Sequence, residues 1–251
     1  MSLAGRTALV TGGGNGLGAA IARALHAQGA AVVLAGRRPE PLQQVCTALG
    51  ERATWHACDV ADPASVAALA EALEDVEVDV VVNNAGIAGP VAPLTEIAVE
   101  DWDEVFDVNV RGVFLVCRAF LPAMVARGAG DVINLASVSG KRPLVRRTPY
   151  CASKMAVIGL TSTLAFEVGP AGVNVNSLSP GPVDGPRMDR NFRLEAERSG
   201  RTYDEAVDSF VSRAALGRMV TETEVGAAVV AMLAMPGLCG ADIDLSAGMV
   251  A

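Results

Sequence analysis

The sequence contains few of the residues that form metal centres and disulfide frameworks. It has only two histidines, His26 and His56, and its cysteines are an odd set of five without a CxxC pair. Clustered cysteines and histidines are the usual signature of zinc sites and structural disulfides. We therefore predict no metal site, and we interpret both histidines as ordinary helix or strand-edge residues. We interpret the cysteines as small buried hydrophobic residues of a reduced cytoplasm. They are Cys46, Cys58, Cys117, Cys151 and Cys239.

Positive charge and long hydrophobic runs are also scarce. The formal net charge is −8, whereas proteins that follow a phosphate backbone usually carry a basic surface.

The longest uncharged apolar stretch, residues 225–241, is interrupted by Pro236 and Gly237 and is shorter than the ~20 residues that span a membrane. It predicts a helix, a turn and the start of a strand. The N-terminus lacks a charged segment followed by an apolar core. We expect a cytoplasmic protein without a signal peptide that binds neither nucleic acid nor membrane.

Short apolar runs instead alternate with longer helical stretches along the whole chain. Strands are predicted at Thr7–Thr11, Ala31–Ala35, Val78–Asn83, Val132–Leu135 and Val173–Leu178, with a first helix from about Gly16 to Gln28. Such alternation is typical of βαβ units and of a parallel sheet covered on both faces. Asp62 and Pro63 mark a further helix start. With 251 residues, we expect a single domain over 1–251.

The segment from about Asp184 to Ala215 interrupts this alternation. It is rich in arginine interleaved with aspartate and glutamate, which predicts an amphipathic helical insertion over the edge of the sheet. One interpretation is a substrate lid, and the other is a solvated helical pair packed on a neighbouring subunit.

A glycine-rich loop follows the first predicted strand and opens the first helix. Glycines let the backbone turn sharply and approach a pyrophosphate, and a helix N-terminus offers free N–H groups to it. The strand–loop–helix context makes this signal more specific than the glycines alone. The residues concerned are Gly12, Gly14, Asn15, Gly16, Leu17 and Gly18.

The end of the second strand predicts which dinucleotide is bound. An acidic residue there would hydrogen-bond the ribose 2′-hydroxyl of NAD, and a cation would pair with the 2′-phosphate of NADP. The sequence has Gly36 and Arg37 at this point, followed by Arg38, and no acid. We therefore favour NADP(H), with Arg37 as its phosphate partner. The alternative is that both arginines point into water and that NAD(H) binds without the acid.

Tyr150 and Lys154 lie four residues apart and therefore on one face of a helix. A free phenol, with a pKa near ~10, is a poor base at neutral pH, and a neighbouring cation stabilises the phenolate. Such a pair can take a proton from an alcohol while hydride leaves its carbon. Taken alone, the spacing is also compatible with a surface pair on a helix.

Together these motifs resemble the short-chain dehydrogenase/reductase family, in its order and spacing and over essentially the whole chain. The matching residues are Thr11-Gly12, Gly16-Leu17-Gly18, Asp59-Val60, Asn83-Asn84-Ala85-Gly86, Asn109, Ser137, Tyr150, Lys154 and Pro180-Gly181. The resemblance implies a three-layer α/β/α Rossmann fold with a doubly wound sheet of seven parallel strands. It also implies direct hydride transfer between a nicotinamide and a substrate carbon, without a metal.

The resemblance assigns further roles. Ser137 would hydrogen-bond the substrate oxygen, with Ser139 as a secondary polar contact, and Lys154 would also anchor the nicotinamide ribose. Asn109 would hold a water that connects Lys154 to solvent, although a helix-internal amide bonded to backbone is the alternative.

For the cofactor, the resemblance points to the ends of the third and fourth strands. Asp59 with Val60 would contact the adenine, and the Asn83, Ala85 and Gly86 turn would pack against the adenosine side. Beyond Pro180 and Gly181, the sequence departs from the family because the usual threonine is absent. Backbone groups of Val183 are expected to replace its nicotinamide contacts.

The segment between Ser137 and Tyr150 bears on the substrate. Four cations lie within residues 141–147 of an acidic protein, and they are expected to hold an anionic substrate or, alternatively, to form a solvated or subunit-contacting loop. The candidate substrate contacts are Ser139, Arg146, Arg147 and, in the insertion, Arg187.

Two substrate classes and one non-enzymatic role remain open. The substrate is a small-molecule alcohol or ketone, either a 3-oxoacyl thioester or a small polyol, sugar or hydroxy acid. A catalytically idle dinucleotide sensor or scaffold is disfavoured because Ser137, Tyr150 and Lys154 are intact. The resemblance also implies a homotetramer in which the helices of 101–126 and 150–168 pair, with 242–251 near another interface. The apolar stripe of Val157, Leu160, Leu164 and Val168 fits this pairing or ordinary core.

Overall fold

The computed structural model describes residues 2–249, except for the side chains of Pro186 and Arg187. Its centre is a parallel sheet of seven strands in the order β3-β2-β1-β4-β5-β6-β7. The strands are β1 (Thr7–Thr11), β2 (Ala31–Gly36), β3 (Ala53–Ala57), β4 (Val80–Asn83), β5 (Gly130–Leu135), β6 (Val173–Pro180) and β7 (Asp242–Leu245). The seven-stranded Rossmann fold that the sequence predicted is confirmed.

Helices cover both faces of this sheet. Along the described chain they are α1 (Gly16–Ala27), α2 (Pro39–Leu49), α3 (Pro63–Ala72), α4 (Val99–Phe106), α5 (Gly112–Arg127), α6 (Thr148–Val168), α7 (Pro186–Ser199), α8 (Tyr203–Val211) and α9 (Glu222–Leu233). A π-helical turn, Asp107–Arg111, joins α4 to α5, and a 3₁₀ turn, Val138–Gly140, follows β5. The predicted cap of α3 is confirmed, because the Asp62 carboxylate accepts a hydrogen bond from the N–H of Ala64 at 3.0 Å.

Neighbouring residues of each central strand belong to opposite cores. Leu9, Val81 and Val132 face α3, α5 and α6, whereas Val10 and Val82 face α1, α2 and α9. Strands buried on both faces require continuous apolar runs, which explains why β1 and β4 lack an alternating pattern. The three layers therefore follow directly from the hydrophobic sequence of the strands.

The strand order reverses beside β1, which pairs with both β2 and β4. At such a switch point the loops after adjacent strands diverge and leave a crevice at the carboxyl edge of the sheet. The glycine-rich loop after β1 and the residues after β2 and β4 meet at this edge.

The segment 184–215 contains α7 and α8, in agreement with the predicted helical insertion. The two helices pack on each other through Phe192, which is 3% exposed and contacts the rings of Tyr203 and Phe210 edge to face. The hydroxyl of Tyr203 donates a hydrogen bond to Asp189 at 2.8 Å. The insertion is thus a helical pair with a small aromatic core of its own.

Among the residues that the structure describes, two helical stretches are long and apolar enough to cross a membrane by length and composition alone. They are Val99–Arg127 and Thr148–Ala171, both longer than the apolar stretch 225–241 noted in the sequence. Both lie against the sheet, because α5 and α6 contribute buried residues such as Val116 and Val157 to one core. Apolar helices of this kind are common in the interior of a three-layer fold.

The prediction for the cysteines is correct for three of the five. Cys46, Cys58 and Cys117 are buried, and burial raises the pKa of Cys117 to about 12. Cys151 is half-buried, and Cys239 is exposed in the turn that precedes β7, so the prediction of a buried residue is wrong there. A turn at the surface gives a small side chain no core to enter.

Candidate active site

The glycine-rich loop is held tightly between β1, β2 and β4. The N–H of Gly12 donates to the carbonyl of Ala35 at 2.7 Å, and the side-chain amide of Asn84 donates to the carbonyl of Thr11 at 2.9 Å. The Thr11 hydroxyl accepts hydrogen bonds from the N–H groups of Asn84 and Ala85 at 3.0 and 3.1 Å. These bonds fix the start of α1 against the turn after β4.

Close packing explains the glycines of this loop. A Cβ at Gly18 would lie 2.2 Å from the carbonyl oxygen of Gly12, and a Cβ at Gly14 would lie 3.0 Å from Pro41. Gly12 and Gly16 have φ of 66° and 50°, which L residues rarely adopt. The loop therefore leaves no room for a side chain at Gly18 and little at Gly14, and it needs glycine for its backbone conformation at Gly12 and Gly16.

A cavity of about 270 Å³ lies beside this loop at the switch point. Eight of the predicted cofactor residues line it: Gly12, Gly14, Asn15, Arg37, Asp59, Val60, Ala85 and Gly86. It is also lined by Gly36, Arg38, Pro41, Leu42, Cys58, Ile87 and Val108. None of the last five was predicted to bind the cofactor, and apart from their nearness to recognised motifs the sequence carries no signal for such a role. The residues present fit an adenine nucleotide.

Arg37 lies exposed at the rim of this cavity, directly after β2. It makes no hydrogen bond or ion pair with the residues described here, so its guanidinium is available to a ligand. A Cβ on Gly36 would meet Leu42 at 3.5 Å, an ordinary contact. The absence of an acid at position 36 is therefore not imposed by lack of space.

Asn83 and Asp59 both bond to neighbouring parts of the chain. The amide of Asn83 donates to Asn134 at 2.9 Å, and Asn134 in turn donates to Thr161 of α6, so Asn83 ties β4 to β5. Asn83 does not line the cavity, although its side-chain oxygen is buried without a partner among the described residues. Asp59 accepts a hydrogen bond from the N–H of Ala61 at 3.0 Å and lines the cavity.

Tyr150 and Lys154 lie on the first turns of α6, where the helix approaches the carboxyl end of β5. Lys154 is 6% exposed, its ammonium donates to the carbonyl of Leu135 at 2.7 Å, and it lies 5.8 Å from the centre of the Tyr150 ring. Pro149 in the first helical turn fixes this start of α6. A buried cation therefore lies beside a half-buried phenol at the start of α6.

Ser137 lies two residues after the end of β5 and is buried. Its hydroxyl oxygen accepts a hydrogen bond from the N–H of Ser139 at 3.1 Å, which fixes the position of that oxygen. Within the described part of the chain, the Ser137 hydroxyl has no acceptor for its own proton. Ser139 contributes its backbone to this arrangement.

Asn109 occupies the π-helical turn between α4 and α5. Its side chain bonds the N–H of Ile87 at 2.8 Å, the carbonyl of Ile87 at 3.0 Å and the hydroxyl of Ser153 at 3.0 Å. Ser153 donates to the carbonyl of Tyr150, so Asn109 connects the turn after β4 to α6. A Cβ at Gly86 would lie 3.1 Å from the Asn109 amide oxygen and 3.6 Å from the Lys154 ammonium. π-Helical turns occur frequently at functional sites, and nothing in the sequence marks this one.

The four cations of residues 141–147 bond to the chain itself. Arg147 donates to the carbonyls of Ala88 and Gly89 at 3.2 Å, and Arg146 lies 3.4 Å from the carbonyl of Val91. Arg142 bonds the carbonyl of Met249. Lys141 pairs with Asp242 and Asp244. Arg146 is exposed, whereas Arg147 is half-buried, and Arg187 has a side chain outside the described part of the structure.

The segment after β6 forms a short bridge to Val220 in which the backbone N–H and carbonyl of Val183 make no bond. Val220 bonds Pro182 and Asp184, so the N–H and carbonyl of Val183 take no part in that bridge. The N–H of Gly181 donates to Leu245 at 2.8 Å, and a Cβ there would lie 2.8 Å from Ser246. The Pro180-Gly181 turn is thus packed against the end of β7.

Sequence comparison places this chain among known oxidoreductases. The family model for short chain dehydrogenase matches residues 6–197. The chain is 40% identical over 206 residues to D-threitol dehydrogenase of Mycolicibacterium smegmatis, covering 76% of this chain and 79% of that protein. It is 41% identical over 229 residues to a Streptomyces violaceoruber protein assigned as ketoacyl reductase 1 of the granaticin polyketide synthase, covering 88% and 84%.

Solved structures match over almost the full length. A variant of actinorhodin polyketide ketoreductase with NADPH superimposes with a TM-score of 0.91 at 34% identity, covering 97% of both chains. NAD⁺-bound xylitol dehydrogenase superimposes with a TM-score of 0.92 at 27% identity, covering 99% of this chain and 100% of the other.

The chain therefore belongs to the short-chain dehydrogenase family. It is an NAD(P)-dependent oxidoreductase that acts on CH–OH groups.

Proposed function

We propose that this short-chain dehydrogenase interconverts a secondary alcohol and a ketone, with Tyr150 exchanging the proton. The observation that supports this most strongly is the buried ammonium of Lys154, 5.8 Å from the centre of the Tyr150 ring, at the edge of the sheet that carries the cavity. When bound, the nicotinamide ring supplies or accepts the hydride. The protein's own residues supply the proton and hold the substrate oxygen.

In the reduction, the Tyr150 hydroxyl gives its proton to the carbonyl oxygen, and in the oxidation the phenolate takes it from the alcohol. Lys154 stabilises the phenolate by its charge and orients the ribose of the cofactor. Ser137 donates its hydroxyl proton to the same substrate oxygen, because its own oxygen is already held by the N–H of Ser139. Asn109 joins Lys154 to solvent through a water near Gly86, where both side chains approach.

NADP(H) is the preferred cofactor in this proposal. Arg37 lies exposed at the cavity without a partner among the described residues, and position 36 carries no acid that would repel a 2′-phosphate. The backbone of Val183 binds the nicotinamide carboxamide, since the bridge to Val220 leaves its N–H and carbonyl unused. NAD(H) remains the alternative, and the matched structures include both an NADPH and an NAD⁺ complex.

Two substrate classes agree with the comparisons. A 3-oxoacyl thioester is favoured by the match to proteins named as polyketide ketoreductases, and a small polyol is favoured by the matches to D-threitol and xylitol dehydrogenases. Arg147 is engaged by backbone carbonyls, which favours a loop-holding role for it, whereas exposed Arg146 stays the candidate contact for an anionic substrate. The helical pair α7–α8 is the proposed lid.

We also propose that the protein is a cytoplasmic homotetramer. In the stripe noted in the sequence, Val157 is buried in the core, and Leu160, Leu164 and Val168 are partly buried against it. The helices α5 and α6 expose other apolar side chains, with Phe114 49% and Phe166 85% exposed. Large aromatic side chains exposed to this extent are typical of subunit interfaces.

A parallel substrate screen tests the proposed function. The purified protein is incubated with D-threitol and oxidised cofactor, or with the acetoacetyl thioester of N-acetylcysteamine and reduced cofactor, each with the NAD and the NADP form. We expect turnover of at least one substrate, faster with the NADP form, followed by the absorbance of the reduced nicotinamide. Tight cofactor binding without turnover across these and a broader set of alcohols and ketones would support the sensor role instead.

A further inference from the structure

Lys141 forms a charge cluster with the last strand of the sheet. Its ammonium lies 2.6 Å from a carboxylate oxygen of Asp242 and also bonds Asp244. Asp242 further accepts hydrogen bonds from the hydroxyls of Ser177 at 2.6 Å and Ser179 at 2.8 Å. The side chains of Lys141 and Asp242 are 29% and 13% exposed, so solvent screens this pair less than a surface pair. Burial lowers the pKa of Lys141, but the two carboxylates outweigh burial and raise that pKa overall.

Lys141 is also the fourth residue after Ser137 in chain order, at the end of the 3₁₀ turn Val138–Gly140. The N–H of Gly140 donates to the carbonyl of Ser137 at 2.9 Å, and the N–H of Lys141 donates to Val138 at 3.0 Å. The position of Lys141 is therefore transmitted to Ser137 through one hydrogen-bonded turn.

The same turn is fixed on its other side by α6. A Cβ at Gly140 would lie 2.9 Å from the backbone nitrogen of Met155 and 3.0 Å from the carbonyl carbon of Lys154. The turn thus packs directly on the helix that carries Tyr150 and is tied by Lys141 to β7. The packing on α6 and the bond to β7 together determine the distance between the Ser137 hydroxyl and the Tyr150 phenol.

We infer that Lys141, held by Asp242 and Asp244, is a positioning residue that keeps the Ser137 hydroxyl directed at the substrate oxygen. The inference rests on the proposed role of Ser137. Without the Lys141 charge, the carboxylates of Asp242 and Asp244, two residues apart on one face of β7, would repel each other unopposed, and the turn would lose its bond to that strand. The consequence is a looser turn and a Ser137 hydroxyl that points at the substrate oxygen in fewer molecules.

Hydrogen–deuterium exchange of the full-length protein measures the turn without needing a substrate. In Lys141→Met, we expect the peptide over 137–142 to exchange about fivefold faster, because the turn opens locally more often. Lys141→Arg should stay within about twofold of the wild type, since a guanidinium can bond both carboxylates. Asp244→Asn, a milder change at a more exposed carboxylate, should give an intermediate rate.

Arg127→Met is the matched control. Arg127 also pairs with two carboxylates, Glu77 and Asp79, but at the opposite edge of the sheet. The Arg127→Met substitution should change the melting temperature without changing the hydrogen–deuterium exchange of the peptide over 137–142. Wild-type exchange of that peptide in Lys141→Met, or the same acceleration in Arg127→Met, would overturn the inference.

Kinetics then separate positioning from general stability. On whichever of the two screen substrates is turned over, Lys141→Met should lower kcat about tenfold with the cofactor Kd unchanged. In a Ser137→Ala background the same substitution should change kcat by less than about twofold, because the residue through which it acts is gone. Equal losses in both backgrounds would contradict the inference. Full activity of Ser137→Ala would instead refute the proposed role of Ser137, whatever the exchange rates show.

Discussion

At the scale of single residues, the cofactor preference depends on two adjacent positions, Gly36 and Arg37. Arg37 has no partner among the described residues and can pair with a phosphate. Gly36 lines the cavity, and a Cβ there would meet Leu42 at 3.5 Å without a clash. An aspartate at this point would repel a 2′-phosphate and accept a hydrogen bond from a 2′-hydroxyl.

We therefore predict that the double variant Gly36→Asp, Arg37→Gln lowers the ratio of kcat/KM for NADP to that for NAD by about 100-fold. Steady-state kinetics with both cofactors measure this ratio, and Gly36→Ala is the control for added volume. An unchanged ratio would show that Arg37 points into water and that the preference is set elsewhere.

Single residues also show which contacts cannot be predicted from the sequence. Tyr150, Lys154 and Ser137 are identified by motif and spacing because their chemistry depends on local separation along the chain. The partners of Arg147 and Lys141 cannot be identified in this way, because they are distant in the sequence. Arg147 bonds carbonyls 58 and 59 residues away, and Lys141 bonds carboxylates 101 and 103 residues away. A charged loop in a sequence therefore does not reveal whether its charges meet a substrate or the chain itself.

At the scale of elements, buried strands and helix starts are well predicted. β1 begins and ends as predicted, and β4 begins two residues later than expected, at Val80 instead of Val78. Strand ends depend on tertiary pairing, which the apolar pattern does not contain. The amphipathic pattern of 184–215 likewise predicts helices, because charge on one face and Phe192 on the other are local features.

The π-helical turn around Asn109 is an element of the site that the sequence did not reveal. Residues 107–111 continue the helical pattern of α4 and α5, so composition gives no reason to expect a wider turn. The turn is accompanied by the bonds of Asn109 to Ile87 and Ser153, which lie 22 and 44 residues away. Only the assembled fold brings these partners together.

At the scale of the whole molecule, the reversal of strand order gathers the site from distant parts of the chain. The same arrangement leaves the outer faces of α5 and α6 exposed, with Phe166 85% exposed. A single chain gains nothing from an aromatic side chain in water, whereas an interface with a second copy would bury it.

We predict a solution mass of four times the 25.7 kDa chain, measured by light scattering after size-exclusion chromatography. Phe166→Glu should reduce this mass to half or a quarter, because it places a charge in an apolar interface. Leu194→Glu, at another exposed apolar position on α7, should leave the mass unchanged. A wild-type monomer would contradict the proposed assembly.

The central claim is that Tyr150 transfers the proton, and single-turnover kinetics of Tyr150→Phe test it most directly. The substitution removes one oxygen and keeps the ring beside Lys154, so cofactor affinity should stay within about twofold while turnover falls about 100-fold or more. The other tyrosine of the chain supplies the control: Tyr203→Phe removes a hydroxyl that bonds Asp189 and should change turnover by less than about threefold. Near-normal turnover of Tyr150→Phe would contradict the account.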